Sequence, residues 1–192
     1  MSANTKKLAV MAMFTAIGAA LITLVHFPLF PAAPFLQYDP ADVPILICAF
    51  AYGPVAGLAV TVAASFIQAF LLGGDGVYGF LMHVIATSAL TLVASLIYRR
   101  KHTRSGAVVG LVCGTLAMGV VMMIANHFIT PAFMGAPTQV VDAMLLPVIL
   151  PFNLLKAGIN SVLTFLVYKP ISRYVIHSQA LPRSKHTRQN EV

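Results

Sequence analysis

Residues 42–75 read DVPILICAFAYGPVAGLAVTVAASFIQAFLLGGD, a stretch in which Asp42 and Asp75 enclose no other charged residue. Gly53-Pro54 interrupts it. A proline disfavours helix at the residue before it, so the interruption predicts a turn between two antiparallel apolar helices. The first piece, Val43 to Tyr52, is only about 15–18 Å long by helical rise, well short of the ~30 Å hydrocarbon core of a bilayer. A span that short needs shielding by its neighbours. The second piece, Val55 to Leu72, is long enough alone. Three more stretches lack acidic or basic residues, between Lys7 and Asp39, Asp75 and Arg99, and Arg104 and Asp142. A spanning helix needs about 20 apolar residues, and each stretch holds at least one. The 192-residue chain is 59% hydrophobic and 9% charged, with a mean hydropathy of +0.88. A water-facing domain carries roughly a quarter charged residues. The sequence is that of an all-α, polytopic membrane protein.

Six spans are predicted: Leu8–Phe27, Val43–Tyr52, Val55–Leu72, Val77–Tyr98, Gly106–Thr130, and a last one from Pro147 or Pro151 to Tyr168. A proline-rich connection with Pro28, Pro31, Pro34 and Pro40 follows the first, and a linker from Pro131 to Met144 precedes the last. Residues 1–176 form one membrane domain, and 177–192 are expected to be a polar, disordered cytoplasmic tail. The +7 charge is no nucleic-acid footprint. Of the twelve Lys and Arg, all but Lys156 sit at or beyond the ends of apolar segments, and eleven fall on one face of this topology. Asp39, Asp42, Asp75 and Asp142 fall on the other. The positive-inside rule makes the basic face, with both termini, cytoplasmic.

Enzyme signatures are missing. The chain has no GxxxxGK[ST], GxSxG or HExxH. Cys48 and Cys113 lie apart within apolar segments and read as packed thiols. The outer histidines His26, His83 and His127 form no close ligand pair, so neither a metal nor a cofactor is expected.

Polar residues inside the spans are more informative. Lys156 has Asn153 at i−3 and Asn160 at i+4, on one helical face. An intramembrane lysine is costly unless it faces a polar cavity or partner; snorkelling to the outer headgroups is the plainer alternative. Asn126, Gln68 and His83 lie at similar depth and converge there if the cavity opens outward. Taken singly, Gln68 and His83 fit ordinary interhelical hydrogen bonding better. In the first span Ala12, Ala16 and Ala20 repeat every four residues. Small residues on one stripe let another helix approach closely, either within this chain or on another subunit.

Three motifs, FLQYDPADVP at 35–44, AYGPVAG at 51–57 and PFNLLK at 151–156, resemble the riboflavin-specific S component of energy-coupling factor (ECF) vitamin transporters. The resemblance runs from the alanine stripe to the sixth span. It implies six helices in a bacterial plasma membrane and a long first loop acting as a lid. It also implies riboflavin as the ligand, with a transmembrane T subunit and two ABC-type ATPases supplying energy. Flavin contacts carry over to Asn126, Asn153 and Lys156, the lid to Leu36, Tyr38 and Asp39, and the T-subunit contact to Ala12, Ala16 and Ala20. Gln37 stands where a lysine is common in that family. Phe35, Tyr38, Phe80 and Phe128 are candidate stacking walls. An S component or secondary carrier for another small vitamin-like solute, a membrane enzyme and a ligandless scaffold are the competing readings.

Overall fold

A computed structural model describes residues 3–31, 33–72 and 75–171; the expected tail lies outside them. The element order is α1 (Ala3–Leu24), β1 (Phe27–Pro28), β2 (Gln37–Tyr38), α2 (Asp42–Tyr52), α3 (Pro54–Phe66) with a π-helical turn (Ile67–Leu71), α4 (Gly76–Arg100), α5 (Arg104–Met134), α6 (Thr138–Met144), a second π turn (Leu145–Ile149) and α7 (Leu150–Ile171). Among the described residues, five helical stretches are long and apolar enough to cross a membrane, and α2 is a shorter apolar helix.

The short helix is shielded, as its length demands. Residues 42–50 of α2 are all buried, and α2 packs on α1, α3, α4 and α7. The turn after it depends on Gly53, whose φ of +92° belongs to the region that favours glycine. Pro54 then opens α3 at a position where its missing N–H costs no helical bond. The most extensive helix pair is α4 with α5. It is drawn together at Gly110 and Gly114, where an added Cβ would stand 2.6 Å from the Ala94 carbonyl oxygen and 2.7 Å from that of Leu90. Those glycines let two backbones touch.

The structure departs from the expected elements at the connections. The first loop carries a two-stranded antiparallel ribbon, pairing Phe27 with Tyr38 and Pro28 with Gln37. Helix α5 runs through Pro131 to Met134, ending where Gly135 turns left-handed at φ +62° and Ala136 N–H bonds to the Pro131 carbonyl. The expected linker therefore contains α6, held because Val141 is buried with Ala33, Leu36, Ile149 and Phe152. Pro147 falls inside the second π turn, where a residue without an N–H is accommodated by a wider backbone turn.

Candidate functional site

A cavity of about 310 Å³ lies at the end of the bundle opposite Arg99 and Arg100. Helix α1 contributes Ile22 and Thr23, the first loop Phe35 to Gln37 and Asp39, and the first π turn Gln68. Helix α4 adds Tyr78, Met82, His83 and Thr87; α5 adds Met118, Met122, Asn126, Thr130 and Phe133; α7 adds Phe152, Asn153 and Lys156. The structure thus brings together Asn126, Asn153, Lys156, Leu36, Asp39, Gln68 and His83 from five separate elements, the first loop, the first π turn, α4, α5 and α7.

Lys156 does not snorkel. Its Nζ donates to Asp39 Oδ2 at 2.7 Å, and both side chains are almost fully buried. Burial alone would raise the Asp39 carboxyl, but the Lys156 ammonium, with His83 and the Ala41 N–H, holds the group below its ordinary value. One turn further, Asn160 ties the loop down. It accepts from the Tyr38 hydroxyl at 3.0 Å and donates to the Asp39 carbonyl at 3.0 Å and to Asp42 Oδ2 at 2.8 Å. Thr87 donates to the other Asp42 oxygen at 2.6 Å. A charged cluster therefore joins the first loop to α2, α4 and α7 beside the cavity. Every member has a partner, which is what makes so much buried polarity tolerable.

The two amides are held by their own helices. Asn126 Nδ2 donates to the Met122 carbonyl at 2.7 Å and Asn153 Nδ2 to the Ile149 carbonyl at 2.8 Å, while Thr130 donates to Asn126 Oδ1. Each amide keeps a second N–H, and Asn153 keeps its oxygen, for a molecule in the cavity. Between α3 and α4, Ser65 Oγ bonds His83 Nδ1 at 2.7 Å. His83 Nε2 and Gln68 Oε1 are buried with no hydrogen-bond partner.

Tyr38 lies behind the loop on Asn160 and does not line the cavity. Phe35 does, but Phe80 packs on Phe66 and Phe70. Phe128, two residues beyond Asn126 and so on the opposite face of α5, is 71% exposed. The ring walls come instead from Phe152, Tyr78 and Phe133, with thioethers from Met82, Met118 and Met122. Met118 and Met122 precede Asn126 at helical spacing, a signal the sequence carried. No trio of His, Cys, Asp or Glu placed to hold a metal exists among the described residues.

This geometry has known counterparts. The family described as ECF transporter, substrate-specific component, matches residues 6–168. The chain belongs to that family. It is 33% identical over 182 residues to the riboflavin transporter FmnP of Bacillus subtilis (strain 168), covering 90% of this chain and 95% of the relative. It is 29% identical over 178 residues to the riboflavin transporter RibU of Staphylococcus aureus (strain TCH60), covering 90% and 93%. A solved structure described as the S component of a bacterial ECF transporter superposes with a TM-score of 0.79 at 29% identity, over 90% of this chain and 99% of that one. In this S component the alanine stripe faces outward. Ala12, Ala16 and Ala20 are exposed, while Val10, Phe14, Gly18 and Ile22 form the buried side of α1.

Proposed function

We propose that this protein captures riboflavin in the cavity beneath its first loop and mediates its uptake across the cell membrane as the S component of an ECF transporter. The observation that carries the reading is the cavity itself, which pairs a largely apolar lining with free amide groups. Riboflavin has a broad apolar ring system, an imide edge and a hydroxylated chain, and Asn126, Asn153 and Lys156 offer the donors and acceptors such a molecule needs. Leu36 and Asp39 cover it, and Tyr38 fixes that cover through Asn160. Gln68 and His83 line the cavity from the first π turn and α4.

The chain has no nucleotide-binding motif of its own, so energy comes from a T subunit and two ATPases, with Ala12, Ala16 and Ala20 the proposed T-subunit contact. An exposed strip of small residues on an otherwise lipid-facing helix supports that assignment. Six spans, counting α2, and both termini in the cytoplasm agree with the basic residues collected at one end. The test is uptake of labelled riboflavin by cells that lack other riboflavin importers. Uptake requiring both this chain and an ECF module is expected; uptake by the chain alone would favour a self-sufficient carrier.

A further inference from the structure

Two atoms of the cavity wall have no use within the protein. Gln68 and His83 line the cavity, and Gln68 Oε1 and His83 Nε2 are buried with no hydrogen-bond partner. Leaving such groups unpaired is costly in a membrane domain, where the lipid offers no substitute for water. The backbone presents Gln68 from a π-helical turn, Ile67–Leu71, a rare geometry that recurs at functional positions. His83 is held by Ser65 through Nδ1 at 2.7 Å. With the Ser65 hydroxyl donating, Nε2 carries the ring hydrogen. The wall then offers one acceptor, Gln68 Oε1, and one donor, His83 Nε2–H.

A hydroxyl group satisfies both at once, since it donates one hydrogen and accepts through its lone pairs. The lining residues of α5 and α7 are differently equipped. Asn126 and Asn153 present amide N–H groups and an amide oxygen, the complement of an imide edge, whose one N–H lies between two carbonyls. The proposed ligand has an imide edge at one end and a polyol chain attached elsewhere, so the two sets of groups divide it. We infer that Gln68 and His83 are specificity-determining residues that hold a hydroxyl of the ligand's polyol chain, and that Ser65 positions His83 for that contact. The inference rests on the riboflavin reading and goes beyond it, for it says which part of the molecule these residues recognise.

The experiment compares riboflavin with lumiflavin, which keeps the isoalloxazine ring and has a methyl group in place of the polyol. Both are titrated into the full chain in detergent, as parent, Gln68→Leu, His83→Phe and His83→Gln. Expected is a loss of about tenfold to a hundredfold in riboflavin affinity for Gln68→Leu and for His83→Phe. Lumiflavin affinity stays unchanged, and His83→Gln, which keeps an N–H donor, recovers much of the loss. Gln68→Leu also unfolds no earlier than the ligand-free parent, because it removes an unpaired buried acceptor. Equal losses for the two flavins, or no loss for either, would overturn the assignment while leaving riboflavin binding in place. A parent that binds neither flavin would overturn the riboflavin reading and this inference with it. Should one apolar variant fail to fold, the other, together with the contrast between His83→Gln and the parent, still decides the matter.

Discussion

Replacing Lys156 by methionine removes one half of a buried ion pair and leaves the other. Lys156 Nζ stands 2.7 Å from Asp39 Oδ2, with side-chain exposures of 9% and 3%. Asp39 would keep only the Ala41 N–H on Oδ1 at 3.1 Å. Stranding a buried charge in this way costs about 3–5 kcal/mol. For a chain of this length each kcal/mol moves the unfolding midpoint by about 2–4 °C, so a drop of at least about 6 °C is expected. Lys156→Met with Asp39→Asn removes both charges together and should recover most of the loss. Cys48 is fully buried and Cys113 only partly so, so in a Cys113→Ser background a dye that fluoresces on reacting with thiols reports unfolding in detergent, and parent, single and double variants complete a double-mutant cycle. A Lys156→Met protein as stable as the parent would refute the reasoning. So would a double variant no better than the single, because the two charges would then not be coupled.

Asn153→Ala should weaken riboflavin binding by about 1–3 kcal/mol, roughly fivefold to a hundredfold or more, in a calorimetric titration. Ala16→Trp places a bulky ring on the exposed stripe, away from the cavity; flavin affinity of the isolated chain should hold while co-purification with the T subunit and ATP-dependent uptake are lost. Because Lys156 depresses the Asp39 carboxyl below its ordinary 3.8, the stability it lends is complete above that value and lost as pH falls below it. Thermal unfolding scanned from pH 6 to pH 3 should show that decline, whereas Lys156→Met, which leaves burial to raise the Asp39 carboxyl, should abolish or reverse it.

Much of this site could be read before any coordinates, for a physical reason. A charged or amide side chain inside an apolar span has few tolerable places, so Lys156, Asn153 and Asn126 announced a polar cavity by their position alone. The short α2 was legible too, because Gly53-Pro54 admits only a turn and ten apolar residues cannot cross a bilayer unaided. What the sequence hid was partnership across distance. Nothing in the one-dimensional pattern says that Lys156 meets Asp39, or that Asn160 rather than the cavity receives Tyr38. Backbone irregularity was equally hidden. Pro131 reads as a stop, yet α5 passes through it to Gly135, and the π turns at 67–71 and 145–149 leave no periodicity to detect. Aromatic residues misled because Phe80 and Phe128 are as welcome against lipid as against a ligand ring.

The central claim is that the cavity between the first loop, α4, α5 and α7 takes riboflavin. Its most direct test is titration of the detergent-purified chain with riboflavin, following flavin fluorescence. Quenching that saturates at one flavin per chain, and that Asn153→Ala shifts to higher concentration, is the predicted result. No quenching, or quenching that Asn153→Ala leaves unmoved, would contradict it.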